Sequence, residues 1–443
     1  MWSPMTAARN FLDTRSPLLF LGEDMLILNS PFLQRGEEAM RKLRIGVVGV
    51  GAQAGSRARQ YISTLARLTD HYELAALCDR DAEALRQVAD ACGTPARYTD
   101  ARALFASEKL DVVLSMAPKD AHIVIALAAA RRGAHVITEI PVALTRRYAE
   151  AIAQACREQG VLWEVAEQVW LWPKERLKRR VIESGLLGKV THARLWYQTG
   201  QYHGFSAIRA LLGSEATRVL GYCGQVETGP YVAYGGEPET AIRWDSAVIE
   251  FASGATCLFE KPPRIFPFAN RTFPVGWQVE GTGGYWDRDR LTLYGEKETR
   301  TYEIEEQYVG GKGERVLDGV GVATDPPVTW ENPFKRYGIG SPDDVSKASI
   351  LISFHEAITQ GGSPQYGAEN GLRDWEICLA IRESARLGNA WVPLPLGTPT
   401  ELERRIEADF LHRYGHDPIA ETDALLDAAF TRSATLWKAA HWL

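Results

Sequence analysis

The sequence predicts an α/β protein, with a parallel, doubly wound sheet first and a second unit built on a mainly antiparallel sheet after it. Three observations carry this. Between residues 43 and 166, short apolar runs alternate with helical stretches at the spacing of β-α-β units. Two of those runs, Ile45-Gly46-Val47-Val48-Gly49-Val50 and Val112-Val113-Leu114-Ser115-Met116, are almost continuously apolar, as strands buried on both faces are. Beyond Glu167 the pattern changes to separated strands with Gly, Pro and aromatic residues dense between them.

Taken in order, the first strand covers 43–48 and runs into a Gly-rich turn and a helix reaching about residue 68. A second strand, 72–78, ends at Asp79, and Asp81 is placed to cap a helix through Ala91. Strand 111–116, a helix through Arg132, strand 134–138, helix 146–159 and strand 161–166 complete the parallel unit. In the second unit, strands are expected at 190–198, 218–224, 245–252, 255–260, 277–280 and 291–294. Helices follow at 343–360 and 369–387, and after the break Gly397-Thr398-Pro399 at 401–413 and 421–440. The expected division is an N-terminal extension (1–40), a parallel α/β unit (41–166), a second α/β unit (167–396) and a helical C-terminal extension (397–443).

A length of 443 residues exceeds one ordinary domain. The balance of 50 basic against 56 acidic residues argues against nucleic acid or an anionic membrane as a partner. The six cysteines (78, 92, 156, 223, 257, 378) form no C-x-x-C pair, so they read as reduced thiols of a cytoplasmic protein. No H-E-x-x-H occurs, and no metal site is expected. In residues 1–39, Gly22-Glu23-Asp24 interrupts the apolar pieces, leaving neither a signal-peptide core nor a membrane span. The first recognisable element begins just after Met40, so this stretch reads as a start-site artefact.

The turn Gly49-Val50-Gly51-Ala52-Gln53-Ala54-Gly55 follows a buried strand and opens a helix. Gly49 permits the tight turn, Gly51 lets backbone approach a pyrophosphate, and small Ala54 lets helix and strand pack closely. Asp79, at the end of the next strand, can accept both ribose hydroxyls, which favours NAD over NADP. Arg80 beside it is the residue that would hold a 2′-phosphate. The cofactor set read here is therefore Gly49, Gly51, Ala52, Gln53, Ala54, Asp79 and Arg80.

From about Lys42 to Leu396 the chain resembles the glucose–fructose oxidoreductase/inositol dehydrogenase (Gfo/Idh/MocA) family. The resemblance rests on the Gly-rich turn, Asp79, Ala117-Pro118 with His122, Glu139-Ile140-Pro141, Ile182-Glu183-Ser184-Gly185 with Gly188-Lys189-Val190, and Ala380-Ile381-Arg382-Glu383-Ser384-Ala385, in that order. It implies a Rossmann domain and an α/β domain whose large open sheet carries the substrate and an oligomer interface. It also implies that Ala117, Pro118 and His122 lie along the cofactor and Glu139 near the nicotinamide ribose. The alternative for His122 is a polar residue lining a helix start.

Departures from the family pattern bear on mechanism. The family's Glu-Lys-Pro reads Glu139-Ile140-Pro141 here, and Ile140 carries no proton. In Thr199-Gly200-Gln201-Tyr202-His203-Gly204 the family His is kept at His203, while Thr199 replaces the usual Asp. An actual Glu-Lys-Pro, Glu260-Lys261-Pro262, falls at a strand end in the second unit and reads as a solvated terminus. His203 is the expected base for a substrate hydroxyl, with Tyr202 as a relay or substitute. Glu-Ile-Pro with His203-Gly204 is also similar to the NAD-dependent glycoside hydrolases of the α-N-acetylgalactosaminidase type. Those oxidise C3 transiently, eliminate the glycosidic group and recycle NAD; for that chemistry His203, Tyr202, Tyr197 and Glu167 are the candidates.

Of thirteen tryptophans, Trp170, Trp172, Trp196, Trp244, Trp277 and Trp286 fall in or near second-unit loops. Such rings stack on sugars, although for any single one a core or interface role is the simpler reading. The expectation is an NAD-dependent oxidoreductase acting on a secondary hydroxyl of a sugar, glycoside or cyclitol, in a homo-oligomer. The alternatives are an NAD-recycling glycosidase or lyase, and a dinucleotide sensor without catalysis.

Overall fold

The computed structural model describes residues 41–430 except 52–54, 95, 198–200, 234–237, 262–264, 267–275 and 311–314. The first unit contains β1 (Leu43–Val48), α1 (Arg57–Leu65), β2 (Tyr72–Cys78), α2 (Ala82–Cys92), β3 (Ala96–Tyr98), α3 (Ala101–Ser107), β4 (Val112–Ser115), α4 (His122–Arg131), β5 (His135–Thr138), α5 (Arg146–Gln159) and β6 (Trp163–Val165). Its strands are all parallel, in the order β3-β2-β1-β4-β5-β6. This is the doubly wound arrangement the apolar runs predict, and its topological switch point lies between β1 and β4. The helices start where the sequence offers caps: Asp81 accepts from Glu83 and Ala84 N–H, and Thr145 from Tyr148 N–H.

The second unit begins with α6 (Pro173–Glu183), β7 (Val190–Trp196) and α7 (Gln201–Leu212). It continues through β8 (Ala216–Ala233), β9 (Pro238–Phe251), β10 (Thr256–Lys261), β11 (Ile265–Phe266), β12 (Gly276–Gly281), β13 (Gly284–Asp287), β14 (Arg290–Tyr294) and β15 (Thr299–Glu303). A small three-stranded sheet follows, made of β16 (Glu305–Val309), β17 (Val316–Val322) and β18 (Val328–Glu331). Then come α8 (Pro342–Gln360), α9 (Gly367–Arg386), β19 (Val392–Pro393) and α10 (Glu401–Tyr414). The large sheet runs β11-β8-β9-β10-β7-β12-β13-β14-β15, with β19 added on β8, and only β10 and β7 pair in parallel.

One face of this sheet is covered by α7 and α9. Phe205 of α7 meets Phe259 at 4.9 Å between ring centres, and Ser384 of α9 accepts a bond from Gly221 N–H at 2.8 Å. A Cβ at Gly221 would strike the Ile381 backbone, so glycine is what lets α9 lie this close. The other face is open, with Tyr222 and Leu258 each 50% exposed. Among the described residues no helix is long and apolar enough to cross a membrane.

Two expectations are corrected. Strands expected at 218–224 and 245–252 are instead the long ribbon β8–β9, whose exposed outer half, polar around Gln225–Thr228, lacked an apolar signal. The expected helix at 421–440 is, over its described part, a single 3-10 turn at Thr422–Leu425 followed by irregular chain to Phe430.

Candidate active site

At the C-terminal end of β1 the chain turns sharply. Gly49 has φ +93°, and a Cβ there would lie 2.7 Å from Ala117 N; Gly51 has φ +76°, and a Cβ would meet Ser56 Oγ. Both positions therefore require glycine, and both leave bare backbone facing a cleft of about 470 Å³. The cleft is bordered by Gly49, Gly51, Asp79, Arg80, Ala117 and Pro118. Asp79 Oδ2 accepts from Val50 N–H (2.7 Å) and Gly51 N–H (3.2 Å), and Oδ1 accepts from Asp81 N–H (2.9 Å). The carboxylate thus ties the end of β2 to the turn it must serve. Ala52, Gln53 and Ala54 lie outside the described residues.

Across the switch point, β4 leads into Ala117-Pro118 and β5 into Glu139 and the cis Ile140–Pro141 bond. His122 joins these two turns rather than lining the cleft: Nε2 is 3.0 Å from Ala117 O and Nδ1 3.4 Å from Pro141 O. Burial lowers its pKa to about 4, so near neutrality the ring holds one proton, which the shorter contact places on Nε2. Glu139 Oε2 accepts from Ile140 N–H at 2.6 Å. Burial raises its pKa, opposed by nearby Arg57 and His203.

The second unit contributes a histidine–carboxylate pair. His203, on the first turn of α7, places Nδ1 2.7 Å from Glu167 Oε2. Glu167 is fully buried, and its Oε1 accepts from Val169 N–H (2.9 Å), with Ser206 Oγ 3.2 Å away but donating at shorter range to His203 O (2.9 Å). Because a carboxylate only accepts, Nδ1 of His203 is held as the donor and Nε2 is left to act. The His203 ring sits 4.9 Å from that of Tyr202 and 6.0 Å from that of Tyr197. Thr199, the residue standing for the family Asp, lies outside the described residues.

Residues 43–167 match the family model described as an oxidoreductase family with an NAD-binding Rossmann fold. The D-apiose dehydrogenase of Paraburkholderia graminis is 32% identical over 349 residues, spanning 72% of this chain and 82% of that enzyme. The chain belongs to this family, Gfo/Idh/MocA. The levoglucosan dehydrogenase of Pseudarthrobacter phenanthrenivorans is 25% identical over 80% of this chain and 99% of its own length. A solved levoglucosan dehydrogenase, in complex with NADH and levoglucosan, shares the fold with a TM-score of 0.59 and 20% identity over 80% of this chain and 100% of that one.

Within this Gfo/Idh/MocA chain one sequence reading changes, that of Lys261. Burial, together with Glu139 and Glu167, raises the Tyr202 pKa well above its ordinary value, so the phenol keeps its proton near neutrality. Lys261, at the end of β10, is partly buried and paired rather than freely solvated. It follows Cys257 and Phe259 on the buried face of β10, and its Nζ lies 3.7 Å from Asp245 Oδ2. Asp245 also accepts from Gln201 and, at 3.3 Å, from Arg382. Burial opposes ionisation of Asp245, but Arg382 and Lys261 hold its pKa below the usual value. Register places Lys261 opposite Asp245, and Tyr197 N–H donates to Glu260 O, so Lys261 and Tyr197 are neighbours on the sheet face that carries α7.

The tryptophans divide. Trp170 and Trp286 are core residues at 1% exposure, Trp172 Nε1 donates to Asp343, and Trp196 lies on the open sheet face with Leu220 and Tyr222. Trp244 is half-buried on β9, with its ring against Gly224. Trp277 packs 6.1 Å from Tyr197 and donates to Glu175 at 2.8 Å. The Glu167–His203 pairing spans 36 residues, and no local motif announces it.

Proposed function

We propose that this protein is an NAD-dependent dehydrogenase acting on a secondary hydroxyl of a sugar, glycoside or cyclitol, with His203 as its base. The observation that carries the reading is the buried Glu167 carboxylate on His203 Nδ1. It fixes the tautomer that leaves Nε2 free to take a proton, at the junction between the Gly49–Gly51 cleft and the second unit. NAD, when bound, supplies the hydride acceptor. Gly49 and Gly51 give its pyrophosphate bare backbone, Asp79 faces the adenosine ribose, and Ala117, Pro118 and Glu139 border the nicotinamide half; His122 acts on it through the two turns it braces.

Substrate then sits between Glu139, His203 and the aromatic rings of Tyr197 and Tyr202. As the carbinol loses hydride, His203 Nε2 accepts the hydroxyl proton and the imidazolium formed is stabilised by Glu167. Lys261 is the amine brought to the same sheet face as Tyr197, and we assign it to a substrate hydroxyl, standing in for the lysine that Ile140 replaces. The dehydrogenases of apiose and levoglucosan named above support a carbohydrate substrate.

The division into units 41–166, 167–396 and 397–443 is proposed on the same reading, as is a homo-oligomer joined through the open face around Tyr222 and Leu258. Leu258→Glu should halve the mass measured by light scattering. The six free thiols support a cytoplasmic location. His203→Ala tests the assignment: turnover should fall at least 1,000-fold while NAD⁺ affinity stays within about twofold. Turnover retained on an identified sugar would remove His203 from the mechanism.

A further inference from the structure

The cofactor cleft has a further wall. It is formed by Leu426, Asp427, Ala428 and Phe430, from the chain beyond α10. The levoglucosan dehydrogenase structure is matched over 100% of its length by 80% of this chain, so about a fifth of the chain is additional to it. We infer that residues 426–430 complete the adenosine subsite and that Asp427 enforces the preference for NAD over NADP. The inference rests on reading the Gly49–Asp79 cleft as the dinucleotide site.

The tail is anchored at several points. Near the Ala117-Pro118 turn, Tyr414 O–H donates to the buried Asp120 carboxylate at 2.8 Å, and the rings of Phe410, Tyr414 and Phe430 follow one another at 4.7 and 4.9 Å. Along α4, Arg131 donates to Thr422 Oγ1 and Ile419 O, both at 2.8 Å. By these contacts Leu426, Ala428 and Phe430 are set as an apolar wall opposite Val48, Met116 and Ile125, a gap suited to a flat adenine ring.

Asp427 controls the charge of the subsite. Arg102 donates to its carboxylate at 2.7 Å and to Asp423 O at 2.6 Å, and Arg80 donates to the Asp427 carbonyl at 3.4 Å. Arg80, the residue that would hold a 2′-phosphate, therefore touches the tail, and Asp427 adds its carboxylate to those of Asp79 and Asp100 around the same space. The Arg102–Asp427 pair is solvent-exposed (48% and 56%) and so holds the tail only weakly. Cofactor exchange then proceeds by lifting residues 426–430, and release is slower with the tail than without it.

The test uses the full chain, a chain ending after Leu425, and the variants Phe430→Ala and Asp427→Ala. Ending at Leu425 keeps α10 with its buried Leu402, Ile406 and Phe410, and thermal unfolding verifies the fold. Calorimetric NAD⁺ affinity should fall at least tenfold in the shortened chain, with stopped-flow NADH release faster by a similar factor. Phe430→Ala should show a smaller change in the same direction, and it decides the matter if the shortened chain unfolds. Asp427→Ala should raise NADP⁺ affinity relative to NAD⁺ at least tenfold. Affinity and release within twofold of the full chain, or an unchanged NADP⁺/NAD⁺ ratio, would overturn the inference. Failure of the full chain to bind either dinucleotide would instead overturn the cofactor reading beneath it.

Discussion

Glu167→Gln changes one atom of the site and has a consequence that the geometry dictates. Oε1 of Glu167 accepts from Val169 N–H, which can only donate, so in glutamine the amide oxygen must take that position. The NH₂ group then faces His203 Nδ1, 2.7 Å from the present Oε2, and can only donate to it. Nδ1 becomes the acceptor and the ring proton moves to Nε2, the atom that must accept the substrate proton. Loss of a charge-assisted hydrogen bond alone is worth about 1.5–3 kcal/mol, roughly 10- to 150-fold in rate. Locking the wrong tautomer costs on the order of 10⁴ in kcat where a comparable buried carboxylate–histidine pair is altered in this way. A fall of about 10³–10⁴ in kcat is expected in a steady-state NADH assay, with NAD⁺ affinity within twofold and the fold intact. A kcat within threefold of the parent would refute the positioning role of Glu167.

Lys261→Met should raise KM for the sugar at least tenfold with NAD⁺ affinity unchanged, read from initial rates and calorimetry; an unchanged KM would place Lys261 outside the substrate site. Acid stability should follow the buried histidines His71 and His122, both with pKa lowered to about 4 chiefly by burial. Because folding favours their neutral forms, the contribution is full above pH 6.5 and is lost as pH falls toward 4, by about 2 kcal/mol per histidine between pH 6.5 and 5. Urea unfolding of His122→Gln should show a shallower loss over that window, and an unchanged profile would contradict the assignment.

The parallel unit was legible because its signals are local. Gly49 and Gly51 sit where no side chain fits, Asp79 closes the adjacent strand, and Asp81 and Thr145 cap the helices expected there. What escaped was either short or non-local. β3 and α3 are too brief for periodicity, and β8–β9 continues into exposed polar chain. His203 and Glu167 could each be named as candidates, yet their pairing depends on α7 folding back over the chain after β6. Lys261 read as solvated because its partners, Asp245 and Arg382, come from β9 and α9. The tail's place over the cleft is likewise written in contacts with Arg80, Arg102 and Arg131, about 290 to 350 residues away in sequence.

The central claim is a net transfer of hydride from a sugar hydroxyl to NAD⁺, and its most direct test records both possible products at once. The enzyme is incubated with NAD⁺ and a panel of aryl glycosides and free sugars, with NADH absorbance and released phenol followed in the same cuvette. Accumulation of NADH without phenol is the predicted result. Phenol release that requires NAD⁺ but leaves no net NADH would contradict it, since the redox step would then be internal to an elimination.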